Sequence, residues 1–219
     1  IQLKEELQNL KLTALRSQMN PHFIFNALNS IKLYITNNDT KEAAHYFTKF
    51  SKLIRKILDA STLKEVSLKE ELETIDLYMT IENIRFSNEI NFNIHINEKI
   101  NLDTVKVPPL ILQPFLENAL WHGLSSKKSD KKITLTIDKN SQNFIEISIE
   151  DNGIGRIASA KIKSEKSIKR KSLGINLTKD RLTNFVKNLE NDYSIIYKDL
   201  HNQKEKPSGT KVELKIPLF

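Results

Sequence analysis

A histidine directly follows a proline at positions 21 and 22, inside a segment whose pattern otherwise predicts one long helix. A proline in a helix interior removes a hydrogen bond and costs about 3 kcal/mol, so this local sequence needs a reason. At about 100° per residue, His22 and Asn26 share one exposed helix face. The opposite face carries an apolar seam of Ile24, Leu28, Ile31 and Ile35. An exposed imidazole beside an amide suits a reactive group, and a surface histidine after a proline turn is the alternative.

Four further motifs follow in the second half of the chain. They are residues 116–120 (Leu-Glu-Asn-Ala-Leu), 151–155 (Asp-Asn-Gly-Ile-Gly), 172–178 (Ser-Leu-Gly-Ile-Asn-Leu-Thr) and 209–210 (Gly-Thr). In this order they resemble the N, G1 and G2 boxes and the final Gly-Thr element of the GHKL-type ATP-binding fold. With the Asn-Pro-His-Phe motif at 20–23, the chain resembles the catalytic half of a LytS-type sensor histidine kinase, over nearly all of its 219 residues.

The resemblance implies that the chain binds ATP with Mg²⁺, and it assigns residues to the adenine end of the site. Asp151 matches the family aspartate that accepts a hydrogen bond from the adenine amino group. Thr210 matches the threonine that supports the base and an ordered water. Gly153 and Gly155 let the backbone approach the purine with no Cβ in the way. The alternative for 151–155 is a plain turn, because Asn-Gly is a common turn sequence.

The same resemblance assigns the phosphate end. Asn118 matches the asparagine that ligates Mg²⁺, which prefers hard oxygen ligands and bridges protein to phosphates. Glu117 orients a metal-bound water or relays a proton, or is simply a helix-surface acid. His122 reaches phosphate or caps its helix. Gly174 begins the second glycine box, where a helix start meets phosphates, although Asn176 stands where many relatives have another glycine.

The implied reaction transfers the γ-phosphoryl group of ATP to a nitrogen of His22. Such a transfer relies on positioning and charge neutralisation, and an exposed imidazole is largely neutral at pH 7. Better-known histidine kinases place an acid directly after the histidine, whereas this chain has Phe23. Asn26 occupies the position that relatives link to dephosphorylation of the partner regulator. The group that activates His22 stays open between Asn20, Glu117 and a backbone carbonyl freed by the proline.

Composition limits the alternatives. The chain has no cysteine, which is compatible with a reducing cytosol. Its formal charge is +7, but residues 156–173 hold seven basic side chains and one acid, so this segment carries +6 and the rest is near neutral. The charge distribution therefore argues against direct nucleic-acid binding. In the family this segment is a mobile lid over the nucleotide, and we assign its Lys171 to nucleotide binding; a solvated charge run is the alternative.

The first third of the chain predicts a helical hairpin. Residues 1–20 have a heptad-like spacing typical of a signalling coiled coil, and the helix continues to about residue 37. Thr40 is the predicted N-cap of a second helix, from 41 to about 60. Its apolar face comprises Ala43, Phe47, Phe50, Ile54 and Ile57. A hairpin alone cannot bury both apolar seams, and two copies form a four-helix bundle, so a homodimer is predicted.

The remainder predicts an α+β domain. Ser67 and Glu70 form a capping box for a helix to about residue 86. Alternating patterns predict strands at 90–96, 133–139, 144–150, 194–198 and 211–216, and helical patterns occupy 109–122 and 175–191. The predicted fold class is therefore α+β. A dimerising, phosphoacceptor helical hairpin spans 1–63, and a GHKL- or Bergerat-type α/β sandwich that binds ATP spans 64–219.

We therefore interpret the chain as the kinase core of a two-component sensor. The resemblance implies an upstream sensor and membrane segment, with this portion in the cytoplasm, and a response regulator partner of the LytTR type that receives the phosphoryl group. Two alternatives belong to other classes. One is a signalling scaffold that binds ATP without transferring phosphate. The other is a basic nucleic-acid-binding module, whose affinity would fall steeply with salt.

Overall fold

The computed structural model describes residues 21–139, 143–165, 173–187, 189–203 and 205–218. The predicted coiled-coil helix at 1–20 lies outside this part and stays a prediction. Helix α1 spans Pro21–Thr36 and α2 spans Thr40–Ala60, which confirms the hairpin. The predicted N-cap Thr40 is wrong, because Asp39 caps α2 by accepting a hydrogen bond from the Glu42 amide at 3.3 Å.

The faces that the hairpin buries within the chain differ from the predicted seams. On α1 the buried side chains are Phe23 and Ala27. Leu28 and Ile35 of the predicted seam are 48% and 56% exposed. On α2 the buried residues are Ala43, Tyr46, Phe50, Leu53 and Ile57. Phe47 was predicted on that face but is 54% exposed. Both helices thus carry apolar residues on more than one side, and periodicity does not say which side faces the same chain.

Helix α3 (Leu68–Arg85) follows a two-residue strand, β1 (Val66–Ser67). The predicted capping box is confirmed: the Ser67 hydroxyl accepts from the Glu70 amide at 3.2 Å, and the Glu70 carboxylate accepts from the Ser67 amide at 2.8 Å. Helix α3 packs on the hairpin through Tyr78, whose ring centroid lies 5.3 Å from that of Phe23. A salt bridge of 2.7 Å between Lys56 and Glu73 adds to this contact.

The second part of the chain alternates strands and helices. In chain order these are β2 (Ile90–Ile96), β3 (Lys106–Val107), α4 (Gln113–Asn118) continued by a π-helix (Ala119–Leu124), β4 (Lys131–Lys139), β5 (Phe144–Asp151), α5 (Arg156–Glu165), α6 (Leu173–Val186), β6 (Ser194–His201) and β7 (Pro207–Pro217). All five predicted strands are present. The helix predicted from residue 109 begins only at Gln113, because Leu110 has a φ of 58°.

The main sheet has the order β2-β4-β5-β7-β6, and β1 pairs separately with β3. Only β2 and β4 run parallel, so the sheet is mixed, and the α+β fold class is confirmed. Alternate residues of its three inner strands form one buried face. They are Ile133, Leu135, Ile137, Ile145, Ile147, Ile149, Val212, Leu214 and Ile216. This face joins α3 and the hairpin in one continuous hydrophobic core.

None of the helices in the described ranges combines the length and apolar character that a membrane crossing requires.

A matched pair of leucines tests whether the hairpin shares the core. Leu53→Ala should lower the free energy of unfolding by about 2–5 kcal/mol, because Leu53 is fully buried. Leu63→Ala should change it by less than about 0.5 kcal/mol, because Leu63 is 51% exposed. Denaturant unfolding followed by circular dichroism measures both. Equal losses in the two variants would contradict the packing described here.

Candidate nucleotide site

A cavity of about 310 Å³ opens between the sheet and the helices that carry the predicted boxes. The polar residues in its lining are Asn118, His122, Asp151, Arg156, Ser159, Tyr197 and Thr210. Apolar walls face them, which suits a flat ring with a polar tail. These walls include Phe115, Ile149, Ile175 and Val212.

The structure brings together five of the residues predicted from sequence. Asn118, His122, Asp151, Gly155 and Thr210 all line the cavity, although they are separated by up to 92 positions in the chain (210 − 118). Their convergence follows from the topology. Strands β5 and β7 are antiparallel neighbours and pair Asp151 with Thr210, and α4 with its π-helix lies against the same end of the sheet.

Other predicted residues lie elsewhere. Gly174 stands at the start of α6, where an added Cβ would lie 3.2 Å from the Cβ of Pro114; its neighbour Ile175 lines the cavity. The side chains of Lys171 and His22 lie outside the described residues. Asn26 is half-buried on α1, away from the cavity lining.

Glu117 points away from the cavity, although it is adjacent to Asn118. Its carboxylate accepts a hydrogen bond from the Gln113 side chain at 2.9 Å and is absent from the cavity lining. Burial raises the pKa of Glu117. Burial also raises the pKa values of Tyr78 and Glu82 on α3, and the nearby Glu117 charge adds to both rises. Glu117 therefore faces the interior between α4 and α3.

Asp151 combines burial with partial hydrogen bonding. Its Oδ1 accepts from the Gly153 amide at 2.8 Å. Burial raises its pKa from the ordinary 3.8 to about 6, and hydrogen bonds from the backbone of Gly153 and Thr210 partly offset this rise. A carboxylate has about four acceptor positions, so two backbone donors leave capacity for a further donor. An exocyclic amine entering the cavity would supply one.

Three glycines allow the backbone segments around Asp151 to approach closely. An added Cβ on Gly153 would lie 2.4 Å from the carbonyl carbon and oxygen of Gly123. A Cβ on Gly123 would lie 2.6 Å from Asp151 Oδ1, and one on Gly209, whose φ is 145°, would lie 1.9 Å from the Asp151 carbonyl oxygen. The turn at 151–155, the π-helix and β7 can meet only because these side chains are absent. Sequence reasoning did not assign Gly123 a role.

The π-helix that carries His122 is fixed by contacts with the end of α3. The Ser125 amide donates to the carbonyl of Leu120 at 2.9 Å, five residues back. Such segments are rare and often occur at functional sites. Trp121 packs on Phe86 at 5.5 Å, and the Arg85 guanidinium lies 4.5 Å from the centroid of the Trp121 ring. These aromatic and cation–π contacts hold the π-helix beside the cavity.

Arg156 lies at the mouth of the cavity, at the beginning of the basic segment. Its guanidinium donates to both carboxylate oxygens of Asp199, each at 2.7 Å. It also lies 5.4 Å from the centroid of the Tyr197 ring. Bidentate pairing of this kind fixes orientation as well as charge, so the first residue of α5 is tied to β6.

Residues 10–90 match the family model for histidine kinases. Sensor protein LytS of Streptococcus agalactiae serotype V is 32% identical over 214 residues, which cover 94% of this chain and 34% of that protein. YwpD of Bacillus subtilis is 34% identical over 177 residues, covering 80% of this chain and 62% of that protein. The chain belongs to the LytS-type histidine kinases.

A solved structure shares the fold of this LytS-type chain. The histidine kinase domain of the blue-light activated histidine kinase from Erythrobacter litoralis EL346 aligns with a TM-score of 0.52. The alignment covers 98% of this chain and 96% of that one at 16% identity, so the likeness concerns the fold. It confirms the predicted α+β fold. The chain spans 62% of YwpD and 34% of the streptococcal LytS, so activity and partners of the whole protein are proposals below.

Sequence reasoning about the LytS-type motifs missed Glu82 and Arg85. The Arg85 guanidinium donates to both oxygens of the buried Glu82 carboxylate, at 2.8 and 3.0 Å. Burial raises the pKa of Glu82 to about 7, although Arg85 lowers it. The available signal was the helical spacing that places Glu82 on the apolar face of α3 with Ile75 and Tyr78, three residues before Arg85.

Asp151 should make the stability of this histidine kinase depend on pH. Because burial raises its pKa from 3.8 to about 6, the ionised carboxylate destabilises the folded state, and this effect is absent below pH 3.8. This destabilisation grows as the pH rises from 3.8 to 6, and it reaches about 3 kcal/mol above pH 6. Asp151→Asn removes this destabilisation. The free energy of unfolding of the variant should therefore rise relative to that of wild type when the pH is raised from about 4.5 to about 7.5.

Denaturant unfolding at the two pH values measures this gain. Asp180→Asn, which replaces an exposed acid on α6, is the control. A constant difference between Asp151→Asn and wild type would show that the carboxyl titrates normally.

Gly153→Ala should destabilise the fold by about 1–3 kcal/mol, because the new methyl group meets backbone atoms of Gly123 that cannot rotate away. Gly174→Ala is the matched control. Its methyl group meets only the Pro114 ring at 3.2 Å, so the change should stay within about 1 kcal/mol. Thermal unfolding compares the two, and similar losses would contradict the close approach at Gly153.

Proposed function

We propose that this chain is the kinase core of a two-component sensor, which binds ATP, phosphorylates His22 and passes the phosphoryl group to an aspartate of a response regulator. The observation that carries the proposal is the cavity in which Asn118, His122, Asp151 and Thr210 converge, in a chain whose α1 begins with the Pro-His-Phe sequence. Neither feature alone would carry it, because ATP-binding cavities of this kind serve several classes of protein.

The cavity supports a definite orientation of ATP. Asp151 and Thr210 mark the adenine end, where a carboxylate accepts from the exocyclic amine. We assign Asn118 of α4 to the phosphate end, together with Gly174, which begins the helix that contacts Pro114 of α4. His122 is a further candidate for a phosphate contact. The Asn118 amide oxygen is a hard donor of the kind that Mg²⁺ takes. When bound, Mg²⁺ supplies charge neutralisation at the phosphates. We assign Lys171 to the phosphates as well.

In the proposed reaction, a nitrogen of His22 forms a bond to the γ-phosphorus while the bond between that phosphorus and the bridging oxygen breaks. ADP leaves with the bonding electron pair. The protein contributes positioning and charge neutralisation more than covalent chemistry. In the second step the phosphoryl group moves from the histidine nitrogen to a carboxylate oxygen of the regulator, and the imidazole is regenerated. Asn26, four residues after His22, is proposed to act in dephosphorylation of the regulator.

The exposed apolar residues of the hairpin support a homodimer. Phe25, Leu28, Leu33, Ile35 and Phe47 are all exposed in the single chain, although they are large apolar side chains on two adjacent helices. Pairing with a second hairpin in a four-helix bundle would cover them. We further propose that residues 1–63 act as the dimerising and phosphoacceptor unit and 64–219 as the ATP-binding unit. Because the LytS relatives are longer, we place the chain as the cytoplasmic part of a membrane-anchored sensor, with a LytTR-type regulator as partner.

The second candidate function is an ATP-binding scaffold without transfer activity. Two observations favour it. Phe23, rather than an acid, follows His22, and its ring is buried against Tyr78 and Phe50. Glu117, the acid nearest to Asn118 in sequence, faces the interior and not the cavity. A scaffold would bind ATP through Asp151 but would leave His22 unmodified.

Incubation with γ-labelled ATP and Mg²⁺ tests the proposal. Wild type should acquire label that is acid-labile and alkali-stable, as a phosphorus–nitrogen bond is. His22→Gln should abolish labelling and leave ATP binding intact. Asp151→Asn should lose both. His45→Gln is the control, because His45 is an exposed histidine on α2, and it should label like wild type.

The other outcomes are equally informative. ATP binding that depends on Asp151, without any label on wild type, would favour the scaffold. Absence of both label and ATP binding would refute the proposed function. Label that persists in His22→Gln would place the phosphoacceptor elsewhere.

A further inference from the structure

A buried carboxylate holds the segment that leads into α4. Glu71 of α3 is 2% exposed. Its Oε2 accepts from the Leu110 amide at 2.8 Å, and its Oε1 accepts from the Leu112 amide at 3.1 Å. A carboxylate is rarely buried without partners, and here the partners are backbone amides of a segment 39 and 41 positions away.

This contact replaces a local helix cap. Leu112 is the N-cap residue of α4 and its side chain makes no capping hydrogen bond. The first amides of a helix need acceptors, and a negative charge near them is favourable. Leu110 also holds a φ of 58°, which is unfavourable for a residue with a side chain. Glu71 therefore supplies from another helix what the 110–112 segment does not supply for itself.

Arg181 of α6 binds the same segment from the other side. Its guanidinium donates to the carbonyl of Pro109 at 2.8 Å and approaches that of Leu110 at 3.4 Å. Amide hydrogens of the segment are thus bound by an acid of α3, and carbonyl oxygens by a base of α6. The two side chains also attract each other electrostatically. We call Glu71 and Arg181 the clamp.

The clamp connects the two helices at the proposed phosphate end of the cavity. Helix α4, directly after the clamped segment, carries Asn118 and continues into the π-helix with His122. Helix α6, which carries Arg181, begins next to Gly174, and Pro114 of α4 contacts that glycine. Neither member of the clamp lines the cavity. Both can therefore act on a bound nucleotide only through the placement of these helices.

We propose that Glu71 and Arg181 are positioning residues that set the distance and orientation between the Asn118 helix and the start of α6, and so control the magnesium-dependent part of nucleotide binding but not adenine recognition. The inference rests on the proposed function. It adds to that function two residues outside all of the sequence motifs, and it predicts that the two ends of the cavity respond differently to the same substitution.

Three binding measurements separate the ends of the site. Affinity for adenosine reports the base end, and affinity for ADP with Mg²⁺ relative to ADP with EDTA reports the phosphate end. The variants are Glu71→Gln, which keeps shape but loses one acceptor, and Arg181→Gln, with Arg181→Lys as the conservative exchange. Asp76→Asn and Lys179→Gln are controls, since they remove exposed charges from the same two helices.

Adenosine affinity should stay within about twofold of wild type in every variant. In Glu71→Gln and Arg181→Gln the gain in ADP affinity on adding Mg²⁺ should fall by about tenfold, and the initial rate of autophosphorylation by about tenfold to a hundredfold, because small misplacements have effects of that size. Arg181→Lys should recover part of the loss. The controls should behave like wild type.

Several results would contradict the proposed positioning role of the clamp. Equal loss of adenosine and ADP affinity would show a general structural role, and so would unfolding of both Glu71→Gln and Arg181→Gln. An unchanged magnesium-dependent gain in both variants would show no role. If wild type binds ADP with Mg²⁺ but takes no label, the proposed kinase activity fails, while the binding ratio still decides the clamp. If wild type binds no nucleotide, both proposals fail.

Discussion

The burial of one broad face of α3 is the constraint on which the rest of the structure depends. On this face Tyr78 packs on the hairpin, and Glu71 and Glu82 bind the 110–112 segment and Arg85. The other face of α3 carries the exposed residues Lys69, Glu73 and Asp76, so the helix is packed on one side and solvated on the other. Its two buried carboxylates must in addition find donors, and these donors determine where the 110–112 segment and Arg85 lie.

How far the sequence predicts this fold depends on the range of the interactions. All five strands follow from alternation, and the Ser67 capping box is local, so both were predicted correctly. The buried face of α1 was not, because Phe23 and Ala27 compete with a second apolar stripe and the choice depends on a partner helix. Thr40 was preferred to Asp39 as a cap although both residue types are suitable. The backbone geometry at the start of the helix decides which of the two residues is the N-cap.

In the candidate site, too, features set by local sequence were predicted and features set by long-range contacts were not. Asn118, His122, Asp151, Gly155 and Thr210 were identified because their motifs are short and ordered along the chain, and the fold brings them to one cavity. Glu71 and Arg181 act over 39 to 72 positions on backbone atoms, which have no sequence signature. Glu71 lies in a charged sequence beside Glu70 and Glu73, and such glutamates are typical of a solvated surface. Helical spacing places Glu71 on the apolar face with Leu68 and Leu72, but the backbone amides that bind it belong to a distant segment that no local pattern specifies.

The packing of Phe23 on Tyr78 has a consequence for signalling. Phe23 directly follows His22, so the proposed phosphoacceptor segment and the helix that supports the candidate nucleotide cavity share an aromatic contact. Any rotation of α1 that breaks this contact changes the free energy of α3 as well. Coupling of this kind is reciprocal: if an upstream stimulus that turns α1 alters nucleotide affinity, then nucleotide must alter the response to the stimulus by the same factor. The proposed kinase core would then respond to the cellular nucleotide concentration as well as to its stimulus.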